Sequence, residues 1–341
     1  MKRNTRLIHA SLWLCALLAS LPFFTFAASE DIVLRSALCS NPDPAEAGRK
    51  AATELKSALG AAPLQAVVVM DSYEDRETKT ALLKGASEVF PKELIFGGAS
   101  YGGFTQKGSV DVDGTVMLGI AGSGVKVETT LVEKMGAAGL TIEKNKDQLT
   151  QALNQAGQNL ARQLPGLSGA TLLLLISDAH SPKNQLLLDG VQSVAGKKLP
   201  ITGGSVNKNV DQNWIYYKGE PHTDSAIGIL LTMGVKIVQN GRQAKTNEAV
   251  IATAKEGAAT ALKSASSAPL AALAFNCGGR KGKLNRLEDE LEAIQSSLGK
   301  EVPLFGTYCA GEYGPADISE SQGDSTPCGR GWHVMFTILS R

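Results

Sequence analysis

Three short apolar runs, each followed by the same succession of loop, helical pattern and glycine-ended strand, constrain this chain more than any other feature. They are Leu64 to Met70, Ala170 to Ile176 and Leu270 to Phe275. Each is short, bounded by turn residues and apolar throughout, the pattern of a strand buried on both faces. The second strands end as Ile95-Phe96-Gly97, Ile201-Thr202-Gly203 and Leu304-Phe305-Gly306. Leu64 and Ala170 stand 106 residues apart, as do Ile95 and Ile201. A third strand recurs at Val116–Ile120, Ala226–Ile229 and Val334–Ile338, and Gly-Val-Lys follows the first two copies at 124–126 and 234–236. A fixed period of this length signals a repeat architecture.

Cutting the chain at about 30–123, 124–233 and 234–341 leaves three strand–helix–strand–helix–strand–strand modules. Helix signals agree with the cuts. Asp43-Pro44 supplies an N-cap and a first-turn proline, Glu46 completes a capping box, and Gly60 follows the last turn. Leu149, Leu153, Ala156, Leu160 and Leu164 share one helical face, as do Leu284, Leu287, Leu291, Ile294 and Leu298. The fold class that follows is α/β, with mixed β-sheets covered by helices. The third copy ends before its own Gly-Val-Lys, so the strand 32–37 and helix 43–59 are expected to complete a permuted repeat by docking beside Val334–Ile338.

The first 27 residues read as a secretory signal. Lys2, Arg3 and Arg6 precede an apolar stretch from Leu12 to Phe26, and Thr25-Phe26-Ala27 offers a cleavage site. The expectation is an exported protein, periplasmic or secreted, with no membrane span after cleavage; the alternative is an uncleaved anchor. A net charge of +1 speaks against a nucleic-acid binder, and 5% aromatics against a stacking platform for single strands. Without CxxC or paired Cys/His spacing, neither a metal site nor a cofactor is expected.

Ligands on α/β sheets gather at the carboxyl ends of strands. The third copy carries the most chemistry there, in Asn276-Cys277-Gly278-Gly279-Arg280 and Gly306-Thr307-Tyr308-Cys309-Ala310-Gly311-Glu312. Glycines let backbone approach a ligand, and the same residues equally fit a tight turn with a solvated Arg280. The run 278–284 lacks phosphate-loop spacing. The residues between Asp71 and Asp75 are read as a helix start, and His180 as a loop residue. Cys309 and Cys328 are a disulfide candidate, closing a loop worth roughly 3 kcal/mol; Cys277–Cys309 is the rival.

Phe275–Arg280, then a helix, Val302–Gly306 and Gly311-Glu312, with the match continuing to Thr326, resemble the C-terminal domain of the FIST family, the F-box and intracellular signal transduction proteins. Asp43-Pro44-Ala45, Val67–Met70 and Ile95–Gly98 resemble its N-terminal domain. With the signal peptide (1–27) set aside, the repeat cuts and the resemblance together give an N-terminal-like domain of two repeats (28–233) and a C-terminal-like domain (234–341). The resemblance implies a sensory module for small ligands, with amino acids among those proposed; binding carries over and downstream signalling does not, and the expectation is a non-enzymatic binding protein with a membrane signalling protein as a candidate partner. No kinase, cyclase, chemotaxis or F-box segment is recognised. The expected ligand site gathers Asn276, Cys277, Arg280, Tyr308, Glu312 and Thr326. Arg280 would anchor a carboxylate, and Glu312 would face an ammonium or pair with Arg280. The alternatives are a thiol-dependent enzyme using Cys277 and a protein-interaction scaffold.

Overall fold

The computed structural model describes residues 31–208 and 213–341, so the signal segment lies outside the described residues. The first repeat runs β1 (Val33–Ser40), α1 (Pro44–Leu59), β2 (Leu64–Asp71), α2 (Arg76–Ser87), β3 (Ile95–Ala99), β4 (Gly103–Thr105), β5 (Gly108–Val110) and β6 (Gly114–Ala121). The second runs β7 (Val125–Val132), α3 (Ile142–Arg162), β8 (Leu172–Ser177), α4 (Asn184–Ala195), β9 (Ile201–Ser205), β10 (Ile215–Tyr217), β11 (Glu220–His222) and β12 (Ala226–Met233). The third begins β13 (Lys236–Gln243), α5 (Asn247–Ser264), β14 (Pro269–Cys277), α6 (Gly278–Lys281), α7 (Leu287–Leu298) and β15 (Leu304–Cys309). It closes with β16 (Glu312–Pro315), α8 (Ile318–Ser321), β17 (Pro327–Arg330) and β18 (His333–Ser340).

These strands build three mixed six-stranded sheets, ordered β1-β6-β2-β3-β10-β11, β7-β12-β8-β9-β16-β17 and β13-β18-β14-β15-β4-β5. Four strands of each sheet come from one repeat and the outer hairpin from another. The exchange is cyclic: hairpin β4–β5 joins the third sheet, β10–β11 the first and β16–β17 the second. The pairings Tyr216–Gly97, Tyr313–Gly203 and Phe104–Gly306 occupy equivalent places in the three sheets.

Strand alternation explains the layering. Val68, Met70, Leu174, Ile176, Leu273 and Phe275 face one central core shared by the three sheets. Their neighbours face outward: Val67 and Val69 onto α1 and α2, Leu173 and Leu175 onto α3 and α4, Ala272 and Ala274 onto α5 and α7. The helices start and stop where their signals stand: the Asp43 side chain accepts from the Glu46 N–H, and Gly60 ends α1 at φ 61°.

The N-terminal strand does not complete the third repeat. β1 pairs antiparallel with β6 along its whole length, and the place beside β18 is filled by β13. Each repeat therefore opens with its own strand and helix, and only the short hairpins cross between repeats. The acidic run after β2 also differs from a plain helix start. Asp75 caps α2, whereas Asp71 is fully buried, paired with Lys79 Nζ at 3.2 Å, and accepts the Tyr216 hydroxyl. Among the described residues, no helix is long and apolar enough to cross a membrane.

Candidate functional site

The carboxyl ends of the parallel strands from all three repeats meet at one end of the core, and a ring of backbone hydrogen bonds joins them. Tyr101 N–H donates to Tyr308 O (2.9 Å), Asn207 N–H to Ala99 O (3.2 Å) and Ala310 N–H to Ser205 O (3.0 Å). In the strand registers, these are equivalent residues in the three repeats. A cavity of about 540 Å³ opens beside the ring, within the roughly 300–1,000 Å³ typical of ligand sites. The first repeat contributes Tyr101, the second Ser181 and Lys208. The third contributes Cys277, Gly278, Gly279, Lys281, Cys309 and Trp332, among others.

The two glycines earn their place here by absence of a side chain. A Cβ on Gly278 would lie 2.6 Å from the Tyr101 ring, and one on Gly279 3.2 Å from the Trp332 ring, so both aromatic walls close directly on backbone. Trp332 sits in a left-handed turn at φ 66° between β17 and β18. The ammonium groups of Lys245 and Lys283 lie 5.7 and 5.8 Å from its ring centre, close enough for cation–π attraction.

The residues expected to form the site are divided by strand alternation. Cys277 and Cys309 share the inward parity of Phe275 and Phe305, and both line the cavity. Asn276 and Tyr308 point the other way. Arg280 joins them, fully buried: Nε donates to Asn276 Oδ1 (3.0 Å), Nη1 to Thr253 Oγ1 (3.1 Å), and Nη2 to Val250 O (3.0 Å) and Glu290 Oε1 (2.8 Å). The Tyr308 hydroxyl donates to Glu290 Oε2 at 2.9 Å. Arg280 is thus the centre of a buried knot between β14, α5 and α7; it neither lines the cavity nor pairs with Glu312. Thr326 lies beside a different depression, with Lys197 and Pro327.

Glu312 stands behind the thiols. It is fully buried, its Oε2 accepts the His333 N–H at 3.2 Å, and Oε1 has no hydrogen-bond partner among the described residues. Burial pushes its carboxyl well above the usual carboxylate range, against the opposing pull of the His333 N–H, Cys277 and Arg280. Burial, reinforced by Glu312, pushes the Cys277 thiol up to about 12, and Cys309 also rises well above an ordinary thiol. Both thiols therefore stay protonated, the opposite of an activated nucleophile. A raised carboxyl favours the fold at low pH: its stabilisation is complete below the unfolded value near 4.5 and is lost as pH climbs toward the folded value. Glu312→Gln should accordingly flatten the fall in stability above pH 4.5 by about 1.4 kcal/mol per pH unit, read from urea unfolding at a series of pH values. An unchanged slope would mean that Glu312 ionises normally.

The expected Cys309–Cys328 disulfide is absent. Both thiols are free, because β15 belongs to the third sheet and β17 to the edge of the second. Cys309 Sγ turns into the space left by Gly204, and Cys328 Sγ donates to Gly314 O at 3.3 Å. Cys277 and Cys309 are neighbours in register on β14 and β15 and are likewise unbonded.

Sequence reasoning missed Tyr101, Ser181, Lys208, Lys281 and Trp332. For the first and third a signal existed: carrying the 106-residue offset two residues past Ala99 and Ser205 sets Tyr101 beside Asn207, next to Lys208. No sequence signal marks Trp332, which reaches the cavity through the turn before β18. His180, expected to be a loop residue, sits outside the cavity lining, its Nε2 3.1 Å from Asp178 Oδ1.

Two solved structures of cyanuric acid hydrolases are similar to the chain. One, described as an evolutionary innovation by structural concatenation, has 9% identity and a TM-score of 0.44, covering 92% of this chain and 100% of that one. The crystal structure of the enzyme from A. caulinodans has 8% identity and a TM-score of 0.43, covering 91% and 100%. No curated protein matches the sequence. The FIST N domain model matches residues 65–258 and the FIST C domain model residues 229–315. With the first of these alone spanning more than half of its length, the chain belongs to the FIST family.

Proposed function

We propose that the cavity at the junction of the three repeats binds a small ligand bearing a carboxylate, amino acids included, and that the protein is an exported sensor reporting its occupancy to a membrane signalling protein. FIST domains are associated with signal transduction and small-ligand sensing. The observation that carries the reading is the cavity itself: about 540 Å³, walled by Tyr101 and Trp332 and built by all three repeats. A ligand held there touches every repeat, so occupancy bears on how they pack.

Charge supports an anionic group. Lys208 stands at the cavity, Lys281 lines it with its ammonium paired to Asp111 and bonded to Tyr101 O, and the carboxyl behind the thiols is held toward the neutral form by burial. The protonated state of both thiols favours binding over nucleophilic catalysis by a thiolate. Export rests on the charged and apolar pattern of the first 27 residues.

A thermal-shift screen against amino acids and small carboxylates tests the reading, because a ligand that binds only the folded state raises its midpoint. Trp332→Ala should weaken the ligand so found by about 2 kcal/mol or more, the cost typical of a central aromatic anchor, as measured by calorimetric titration. A panel that leaves the parent midpoint unmoved counts against the reading, and undiminished binding by Trp332→Ala moves the site elsewhere.

A further inference from the structure

Cys277 and Cys309 are the feature of the cavity that binding of a carboxylate does not use. They are partners in register on adjacent parallel strands, which run about 4.8 Å apart. They share one parity, face the same side and line the same cavity. Cys309 Sγ packs into the space beside Gly204, and Cys277 Sγ accepts the Gly279 N–H at 3.4 Å, so an acceptor shared by both sulfurs requires the thiols to turn from these contacts. Soft sulfur donors select soft acceptors. A structural zinc ion takes four protein ligands, and among the described residues no group of three His, Cys, Asp or Glu side chains is arranged to hold a metal. Two sulfurs with no third protein ligand suit an acceptor that brings its own remaining substituent.

We propose that Cys277 and Cys309 chelate a trivalent arsenic or antimony compound, making this cavity a site for thiophilic metalloids. With arsenous acid, two S–H and two As–OH bonds break, two As–S bonds form, and two water molecules leave. Arsenic stays trivalent throughout, so no oxidant or reductant is needed. Each thiol hydrogen departs in water, so un-ionised thiols are competent partners. The third substituent, a hydroxyl or an organic group, projects into the cavity. Glu312 lies buried against the Cys277 thiol, behind the cavity.

The test titrates the reduced full chain with phenylarsine oxide. The expected result is one equivalent bound, seen in intact mass as one phenylarsine oxide less one water, retained through gel filtration and released by 2,3-dimercaptopropanol but not by an equal concentration of a monothiol. Peptide mapping of this adduct on the parent protein should find both Cys277 and Cys309 blocked from alkylation. Cys277→Ser and Cys309→Ser should each bind on the order of 100-fold more weakly, because the second sulfur acts intramolecularly. Cys39→Ser and Cys328→Ser should bind as the parent does. No retained adduct, or an adduct mapped to Cys39 or Cys328, would overturn the proposal, and the parent mapping decides this even if a site variant misfolds.

Discussion

Arg280→Ala should lower the free energy of unfolding by roughly 3–5 kcal/mol, the cost of leaving one member of a buried ion pair without its partner. The guanidinium is wholly enclosed and makes four hydrogen bonds to Asn276, Thr253, Val250 and Glu290. Its removal strands the Glu290 carboxylate, which then keeps only the Tyr308 hydroxyl. Arg280→Lys should recover only part of the loss, since one ammonium cannot reproduce a planar fork aimed at four separate acceptors. Urea unfolding reads the effect. A variant of parental stability that no longer binds the screened ligand would reverse the assignment and return Arg280 to the ligand site.

Phe104→Ala should cost about 3–5 kcal/mol, the usual penalty for emptying a fully buried aromatic site. Phe104 belongs to the first repeat but packs in the sheet of the third. It pairs with Gly306, where any Cβ would collide with its ring, and it meets the Tyr308 ring edge-on at 5.6 Å. The loss therefore falls on the joint between repeats. Since every sheet holds strands from two repeats, calorimetry should show the transition shifted to lower temperature as a single peak. Two separated peaks in the variant would mean that the exchanged hairpins do not couple the repeats.

The elements were legible because their signals are local. A buried strand needs only a short apolar run between turn residues: Leu64–Met70 and Leu270–Phe275 lie within β2 and β14, and the run 170–176 forms β8 from Leu172 onward. The α1 boundaries were written by Asp43, Pro44, Glu46 and Gly60. Of the third-repeat loops, Cys277, Gly278, Gly279, Lys281, Gly282 and Cys309 line the cavity. What failed was partner choice. Arg280 can be placed on a loop from the sequence, but whether it meets Glu312 or Glu290 depends on which face of β14 it crosses. One step of strand alternation moved it, with Asn276 and Tyr308, to the helix side.

The sequence by itself determined the three-fold repetition, the α/β class and the strand ends where ligand chemistry collects, because periodicity, capping and apolar runs act over a few residues. Only the tertiary structure decided the cyclic exchange of hairpins, the pairing of β1 with β6 and the cavity walled by Tyr101 and Trp332. Those depend on contacts between residues far apart in the sequence, 74 to 88 positions for β1 and β6 and more than a hundred for the hairpins. Their register is set by how the three sheets close on one core, and no local window of sequence carries that information.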